Sequence, residues 1–190
     1  MTNSMLSEWS NIFGLPPFAA IQDADFAAAF AEGMAQARAN ITKIANNPDA
    51  PSFVNVIEAL EQAEDLLDRV GGVFFNLTSA DSSDVREALQ HDLAPVLSAF
   101  SSEITNNKVL FSRIEALFKQ QEHLNLSAEQ ARVLELYAKM FIRSGAHLEG
   151  KAAERLTDVK SRLAVLGTKF GQNLLAEERS WCLKLSPQDL

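Results

Sequence analysis

Apolar residues recur every three or four positions along most of this 190-residue chain. The first such segment starts near Asp23 or Asp25. Its apolar positions, at spacings of 4, 4, 3, 4 and 3, are Phe26, Phe30, Met34, Ala37, Ile41 and Ile44. This period places one apolar face on an α-helix. Because proline disfavours the α conformation in the residue before it, we expect the helix to end at Asn46-Asn47-Pro48.

A second helix is predicted to follow Pro51, with the hydroxyl of Ser52 capping its first turn. Its apolar positions form one stripe: Ile57, Leu60, Ala63, Leu67, Val70, Phe74 and Leu77. The pair Gly71-Gly72 lies inside this stripe, although each glycine costs about 1 kcal/mol in a helix relative to alanine. We interpret the pair as a site of close packing against a neighbouring helix, and a hinge or kink is the alternative.

Two further helices are predicted in the middle of the chain. The cluster Asp81 to Asp84 supplies candidate N-caps for a third helix that ends near residue 106. Pro95 lies in the middle of this helix and is expected to kink it. A fourth helix is predicted from Lys108 to about His123.

The last two helices follow from a capping pattern and a long apolar stripe. Ser127 and Gln130 have the spacing of a capping box, which opens a fifth helix that closes at Ser144-Gly145. A sixth helix is predicted from about Lys151 to Leu183, ended by Pro187. Its buried face is expected to carry Leu156, Val159, Leu163, Leu166, Phe170 and Leu174.

No segment alternates apolar and polar residues at the period of two that strands require. About three quarters of the chain reads as helix, and connections of 3–5 residues suit antiparallel neighbours. We therefore predict an all-α fold, a bundle of about six long, mostly antiparallel helices. Residues 1–190 are expected to form a single helical domain with an irregular lead-in over residues 1–22, where Gly14, Pro16 and Pro17 prevent regular structure.

Charge narrows the set of partners. The net charge is −8, and no two Lys or Arg residues are adjacent, so we expect no nucleic acid and no anionic membrane as partner. The N-terminal residues lack a signal-peptide pattern, and no run of 18 apolar residues is present, so a cytoplasmic location is expected. Three N-x-[ST] sequons, at Asn40, Asn76 and Asn125, are interpreted as chance matches.

Few residues offer catalytic or metal-binding chemistry. The single cysteine, Cys182, excludes an internal disulfide, and we expect it to pack as a small hydrophobe in the last helix. The three histidines, His91, His123 and His147, lack the i, i+4 spacing of a helical zinc site and are expected to be exposed or hydrogen-bonded near helix ends. The sequence therefore predicts no catalytic, metal-binding or cofactor-binding residue within this chain.

Other small motifs are interpreted structurally. Gly167 and Gly171 have the G-x-x-x-G spacing, but they lie in an amphipathic helix, where close helix packing explains them better than membrane dimerisation. The serines at 82, 83, 101 and 102 have no base in reach by sequence. The carboxylates are spread along helix faces as on a solvated surface, so catalysis by the chain alone is not expected.

Several strings together resemble one family. Residues 47–57 read N-P-D-A-P-S-F-V-N-V-I, which resembles the N-P-x-x-P-T-F-x-N-T-I signature of the zinc oligopeptidases of the thimet oligopeptidase, oligopeptidase A and peptidyl-dipeptidase kind. Ser52 and Val56 replace the two threonines of that pattern. Further strings follow in the family's order, at residues 59–61, 67–70, 74–80, 110–114, 129–132, 141–146 and 170–175.

The resemblance implies that this chain is the N-terminal helical region of such a peptidase, a wall of the deep channel that admits short peptides. Members are similar in carrying His-Glu-x-x-His and a further Glu far beyond this region. Zinc, the catalytic residues and the main partner surface are thus expected in a missing C-terminal catalytic domain, and no catalytic or metal residue can be carried over to this chain.

Two hypotheses remain open on this evidence. We favour a piece of a longer zinc peptidase, because residues 186–190 resemble the middle of a connection. The alternative is a free-standing helical protein-interaction module without enzymatic activity. In either case the last helix is apolar over more than one face, which predicts weak self-association unless the first five helices bury both faces. The residues concerned are Leu163, Val165, Leu166, Phe170, Leu174, Leu175, Trp181 and Leu183.

Overall fold

The computed structural model describes residues 3–10, 13–184 and 186. These residues contain six α-helices of at least three turns and one short α-helix, and we number all seven in chain order. They are α1 (Asp23–Ala45), α2 (Ala59–Glu61), α3 (Asp65–Ala80), α4 (Asp84–Thr105), α5 (Lys108–Lys119), α6 (Ala128–Arg143) and α7 (Gly150–Ser180). A π-helical turn, Phe53–Glu58, leads into α2. The described part of the chain contains no strand, and the predicted all-α class is confirmed.

The predicted helix starts rest on side-chain caps that the structure contains. The Ser127 hydroxyl accepts a hydrogen bond from the Gln130 backbone N–H at 3.1 Å, and the Gln130 carbonyl oxygen accepts from the Ser127 N–H at 3.0 Å. Ser52 forms the same reciprocal pair with Asn55. Ser83, within the predicted cluster, caps α4. Each cap satisfies backbone donors that the first turn of a helix leaves without partners.

The prediction of one continuous helix after Ser52 was wrong. The chain leaves the helical path between Glu61 and Asp65, so that α2 and α3 are separate elements. At this break the Asn40 side chain on α1 donates a hydrogen bond to the Ala63 carbonyl oxygen at 3.2 Å. A carbonyl group that leaves a helix needs another donor, and Asn40 supplies it from a distant part of the chain.

The close approach between helices lies at a different glycine from those predicted. A Cβ atom at Gly33 on α1 would meet the Leu67 Cα at 3.0 Å, whereas one at Gly72 would meet nothing within 4 Å. Gly71 is equally far from neighbouring helices, and α3 runs unbroken through both residues, so neither close packing nor a hinge explains them. Gly167 and Gly171 also have open space around them, and close packing is wrong there as well.

Two buried clusters form the core, and α1 runs through both. The first half of α1 contributes Phe26 and Phe30, whose rings meet Phe74 edge-on at 5.0 and 5.3 Å between centroids. The second half contributes Ile41 and Ile44 to a cluster shared with α2, α5 and α6. These apolar contacts stabilise the bundle through the removal of large side chains from water.

The last helix is attached differently, and the prediction of its buried face was wrong. No residue of α7 is buried, and its main neighbour is α4. At the start of α7, Leu156 is half-buried and packs against Gly145. Farther along, the side that faces α4 is polar or small, and Gln172 there donates to the Glu87 carbonyl oxygen at 2.9 Å. The apolar stripe points away from the bundle, with exposed fractions of 62% for Leu163, 51% for Leu166, 72% for Phe170 and 49% for Leu174.

The packing role predicted for Cys182 was also wrong. Helix α7 ends at Ser180, before the cysteine, and Cys182 is exposed. Trp181 beside it is 69% exposed. The helical period therefore does not extend to Leu183, and Pro187 lies outside the described residues.

A Gly33→Ala substitution is expected to lower the free energy of unfolding by about 1–3 kcal/mol, because the added Cβ would lie 3.0 Å from the Leu67 Cα and would force the two backbones apart. Gly72→Ala is the matched control. It places the same methyl group in open space and is expected to raise stability by up to about 1 kcal/mol through helix propensity. Urea denaturation followed by circular dichroism measures both. Equal stability of the two variants would contradict the assigned contact between α1 and α3.

Candidate functional site

Three adjoining cavities follow the inner sides of α3, α4, α6 and α7. The largest, about 760 Å³, lies between α6 and α7 and has Leu136 and Met140 on its walls. A second, about 430 Å³, lies between α4 and α7, and a third, about 390 Å³, between α3 and α4. Ser144 and Lys160 line the first two, and Glu64 lines the first and third. We call these three cavities together the central groove.

The groove depends on small residues along its walls. Gly71 and Gly72 line it on α3, and Ala94 and Ala164 line it on α4 and α7. A longer side chain at any of these positions would enter the open space, since the glycine Cβ positions meet no other helix. The two glycines therefore shape a cavity and do not serve helix contact.

Lys160 stands where the two cavities beside α7 meet. Its Nζ donates a hydrogen bond to the Ser144 carbonyl oxygen at 3.1 Å. Burial lowers the pKa of this ammonium group, because removal from water disfavours the charged form. Lys160 has no ion-pair partner among the residues that the structure describes.

Carboxylates at the start of α3 also line the groove. Burial and then repulsion from Asp68 raise the pKa of Glu64, and burial raises that of Asp68 together with repulsion from Asp65. Beside them the Tyr137 hydroxyl donates to Glu61 Oε1 at 2.6 Å, and burial followed by this bond raises the tyrosine's pKa. The acidic side is thus partly removed from water and self-repelling.

Helix α6 adds a basic rim. Arg132 contacts Glu135 at 2.5 Å and Lys139 also pairs with it, and these two bonds lower the pKa of the Glu135 carboxyl group. Arg143 lines the same cavity farther along the helix. The groove therefore has acidic groups near α2 and α3 and basic groups on α6 and α7, with apolar walls between them.

This arrangement of charged, polar and apolar side chains suits the binding of a ligand. Ser83 caps α4 and Ser82 donates to the Glu87 carboxylate, so both act at a helix start. Ser101 and Ser102 line the groove, and the Ser102 hydroxyl has no hydrogen-bond partner among the described residues. The groove can supply hydrogen bonds, charge and apolar surface to a ligand.

A zinc ion does not fit the residues described. Among them, no group of three His, Cys, Asp or Glu side chains converges to hold a metal. His91, His123 and His147 are all exposed, and His91 contacts Asp92 at 3.4 Å. Within the same residues, no helix is long and apolar enough to cross a membrane.

Comparison with known proteins decides the family. The family model described as the neurolysin/thimet oligopeptidase N-terminal domain matches residues 30–153. The chain belongs to this family. It is 35% identical to dipeptidyl carboxypeptidase of Salmonella typhimurium, in an alignment that covers 94% of this chain and 26% of that protein. It is 37% identical to the Escherichia coli protein of the same name, in an alignment that covers 87% of this chain and 24% of that protein. Oligopeptidase A of Salmonella typhimurium is 27% identical, in an alignment that covers 95% of this chain and 26% of that protein.

The resemblance drawn from the sequence strings is therefore confirmed. The chain spans about a quarter of the length of these curated relatives.

Residues 47–57, the first string that resembles the family, fold around one buried guanidinium. Arg113 on α5 donates to the carbonyl oxygens of Asn47 at 2.8 Å and Asp49 at 3.1 Å, and to Asn55 Oδ1 at 3.3 Å.

Sequence reasoning missed the groove and its charged residues. In the sequence, the spread of carboxylates along helix faces indicates a solvated surface, and no motif singles out Lys160 or Glu64. One signal was available: Lys160 lies among Ala153, Thr157 and Ala164 on the side of α7 away from its apolar stripe. Small residues on one side of a helix indicate close packing against a neighbour. A single lysine among them indicates a gap in that packing at the lysine.

A Glu64→Gln substitution is expected to stabilise the protein at pH 7. Because the folded pKa of Glu64 is raised, the unfolded chain loses this proton first. Stability then falls as pH rises from the ordinary glutamate pKa of 4.5 through the folded pKa, and the loss persists at neutral pH. Glutamine cannot ionise. The variant is therefore expected to be more stable than the parent at pH values above the folded pKa of Glu64, and equally stable at pH values below 4.5.

Urea denaturation at several pH values between 3.5 and 7 measures this difference. Glu154→Gln, at an exposed position of α7 outside the groove, is the control and should follow the parent at every pH. A Glu64→Gln variant that is less stable than the parent at pH 7 would contradict the assigned burial of this carboxyl group.

Proposed function

We propose that this chain is the N-terminal, non-catalytic helical domain of a zinc metallopeptidase that cleaves short oligopeptides. In this proposal the central groove belongs to a wall of the substrate channel. Family membership supports it, as do relatives named dipeptidyl carboxypeptidase and oligopeptidase A that are about four times as long as this chain. Zinc and the catalytic residues belong, in this proposal, to the remaining part of the enzyme.

The exposed stripe of α7 is the observation that carries the proposal. Leu163, Leu166, Phe170 and Leu174 lie on one side of a 31-residue helix, and each is about half exposed or more. A row of this length in water marks a surface that another element covers. We assign the covering element to the rest of the peptidase, since the core of the bundle takes nothing from α7.

The groove suits a channel that carries short peptides. A peptide of a few residues has an ammonium group at one end, a carboxylate at the other and apolar side chains between. The groove is lined by the carboxylates Glu64 and Asp68, the cations Lys160 and Arg143, and the apolar side chains Leu136 and Met140. This complementarity supports contact with peptides and requires no catalytic group in this chain.

The same stripe is compatible with a second function. In a free-standing helical interaction module, a partner protein would cover the α7 stripe, and no zinc site would follow. The coding sequence beyond residue 190 tests the choice. A frame that continues into His-Glu-x-x-His on a helical pattern supports the peptidase domain, and a stop codon near that point supports the module.

The isolated 190-residue chain is expected to bind no zinc tightly and to cleave no peptides. The described residues provide no set of ligands that could activate water. Metal analysis after dialysis and mass spectrometry of a short-peptide mixture after incubation measure the two properties. Stoichiometric zinc with nanomolar affinity, or metal-dependent cleavage that copurifies with the chain, would contradict this expectation.

The isolated chain is also expected to self-associate weakly through the α7 stripe. Light scattering over a concentration series should show an apparent mass that rises above 20.9 kDa. The double variant Leu166→Ser, Phe170→Ser should remain at the monomer mass, whereas Val109→Ser, which removes an exposed apolar residue from α5, should behave like the parent. A parent chain that stays monomeric at every concentration would contradict the role given to this stripe.

A further inference from the structure

The start of α7 is fixed to the bundle by packing and by a hydrogen bond. Leu156 is half-buried and packs against Gly145 in the turn after α6. One turn farther along α7, Lys160 Nζ donates to the carbonyl oxygen of Ser144 in the same turn at 3.1 Å. The first part of α7 therefore moves together with α6.

The far end of α7 is held by a single residue of α4, Glu87. Its carbonyl oxygen accepts a hydrogen bond from the Gln172 side chain at 2.9 Å, and its carboxylate accepts one from Arg179 at 2.8 Å. The Ser82 hydroxyl donates to the same carboxylate oxygen at 3.0 Å, which fixes Glu87 from its own side. We call residues 172–180 the arm of α7. In the described part of the chain, the hydrogen bonds from the arm to other helices end on Glu87.

Apolar packing adds little to this attachment. Leu174 in the arm is 49% exposed, Leu175 is half-buried, and Trp181 directly after the arm is 69% exposed. Neither buried core cluster contains a residue of α7. Exposed polar contacts are individually weak in water, so a small change at Glu87 is enough to release the arm.

Two glycines lie between the fixed start of α7 and the arm. A Cβ atom at Gly167 or Gly171 would meet nothing within 4 Å, so the approach of another helix does not require either glycine. Glycine is nevertheless unfavourable inside a helix, because its backbone has more conformational freedom to lose than that of any other residue. The pair therefore makes this part of the 31-residue helix easier to bend.

We propose that α7 is a hinged helix, in which the arm moves away from α4 about Gly167 and Gly171 and the contacts with Glu87 hold it closed. Gln90 on α4 and Thr168 on α7 line the cavity of about 430 Å³ between the two helices. An arm that leaves α4 widens this cavity at the end where these two residues lie. The inference goes beyond the proposed function and uses contacts within this chain alone.

Distances between two spin labels on the 190-residue chain test the hinge. Cys182, the single cysteine, is exposed just beyond the arm and takes one label. Ala28→Cys, at an exposed position near the start of α1, takes the other. The start of α1 lies beside the start of α4, where Arg86 pairs with Asp23 at 2.7 Å. The distance between the labels is therefore expected to lengthen when the arm leaves α4.

Gln172→Ala combined with Arg179→Ala removes both contacts with Glu87. The fraction of long distances, measured by double electron–electron resonance, is expected to rise about three- to fivefold, the range for loss of an exposed charged pair. Alanine favours the helix, so the change does not weaken α7 itself. Lys169→Ala combined with Glu178→Ala, at two exposed positions of α7, is the control and should keep the distances of the parent.

Gly167→Ala combined with Gly171→Ala tests the position of the hinge. Added to the variant that lacks the Glu87 contacts, it is expected to return the fraction of long distances to about that of the parent, because α7 is then harder to bend. Lys169→Ala is the matched control, since it introduces the same residue between the two glycines. It should leave the long distances as they are.

Three results would overturn the inference. Parent-like distances after loss of the Gln172 and Arg179 side chains would show that Glu87 does not hold the arm. Long distances that persist after both glycines are replaced would place the bend elsewhere. A fall in the helical circular dichroism signal of the variant without the Glu87 contacts would show that the arm unwinds and does not move as a helix.

Discussion

The hydrogen bonds of Arg113 fix the geometry on which the rest of the bundle depends. This guanidinium is 8% exposed and has carbonyl and amide acceptors in place of a carboxylate. It holds the connection between α1 and the π-helical turn against α5. Loss of the arginine would leave partly buried acceptors without this donor, and an arginine without them would be a buried charge without partners. The turn that Arg113 fixes leads directly to Glu61 and Glu64, so the acidic side of the groove takes its position from this contact.

Most helices and their starts could be predicted from the sequence because their signals are local. Ser52, Ser83 and Ser127 each act on backbone groups within three residues, so a single stretch of sequence contains the donor, the acceptor and the spacing. The break between α2 and α3 has no such signal. It depends on Asn40, which is 23 positions away and meets Ala63 only in the folded chain. The close contact of Gly33 with Leu67 likewise depends on residues that are distant in the sequence. Two adjacent glycines, Gly71-Gly72, are the more obvious sequence signal for close packing, but they do not make that contact.

The candidate site could not be predicted for a related reason. A helical period identifies which residues share a face, but not which element covers that face. On α7 the apolar stripe was therefore assigned to the core, whereas the core lies on the side with Ala164, Thr168 and Gln172. Lys160 on that side is informative only together with Ser144, Ser102 and Glu64, which come from three other parts of the chain. Burial changes the behaviour of such ionisable groups, and burial is a property of the assembled fold.

The attachment of α7 links the exposed stripe to the groove. The polar contacts of α7 include Gln172 with the Glu87 carbonyl oxygen, Arg179 with the Glu87 carboxylate at 2.8 Å, and Lys160 with the Ser144 carbonyl oxygen. Exposed ion pairs contribute little, and no side chain of α7 is fully removed from water. The larger apolar surface of α7 points outward, so an element that covers it would determine how firmly α7 lies against α4. Because α7 forms one wall of two of the three cavities, an element bound to its outer stripe would contact the same helix that lines the groove at Lys160.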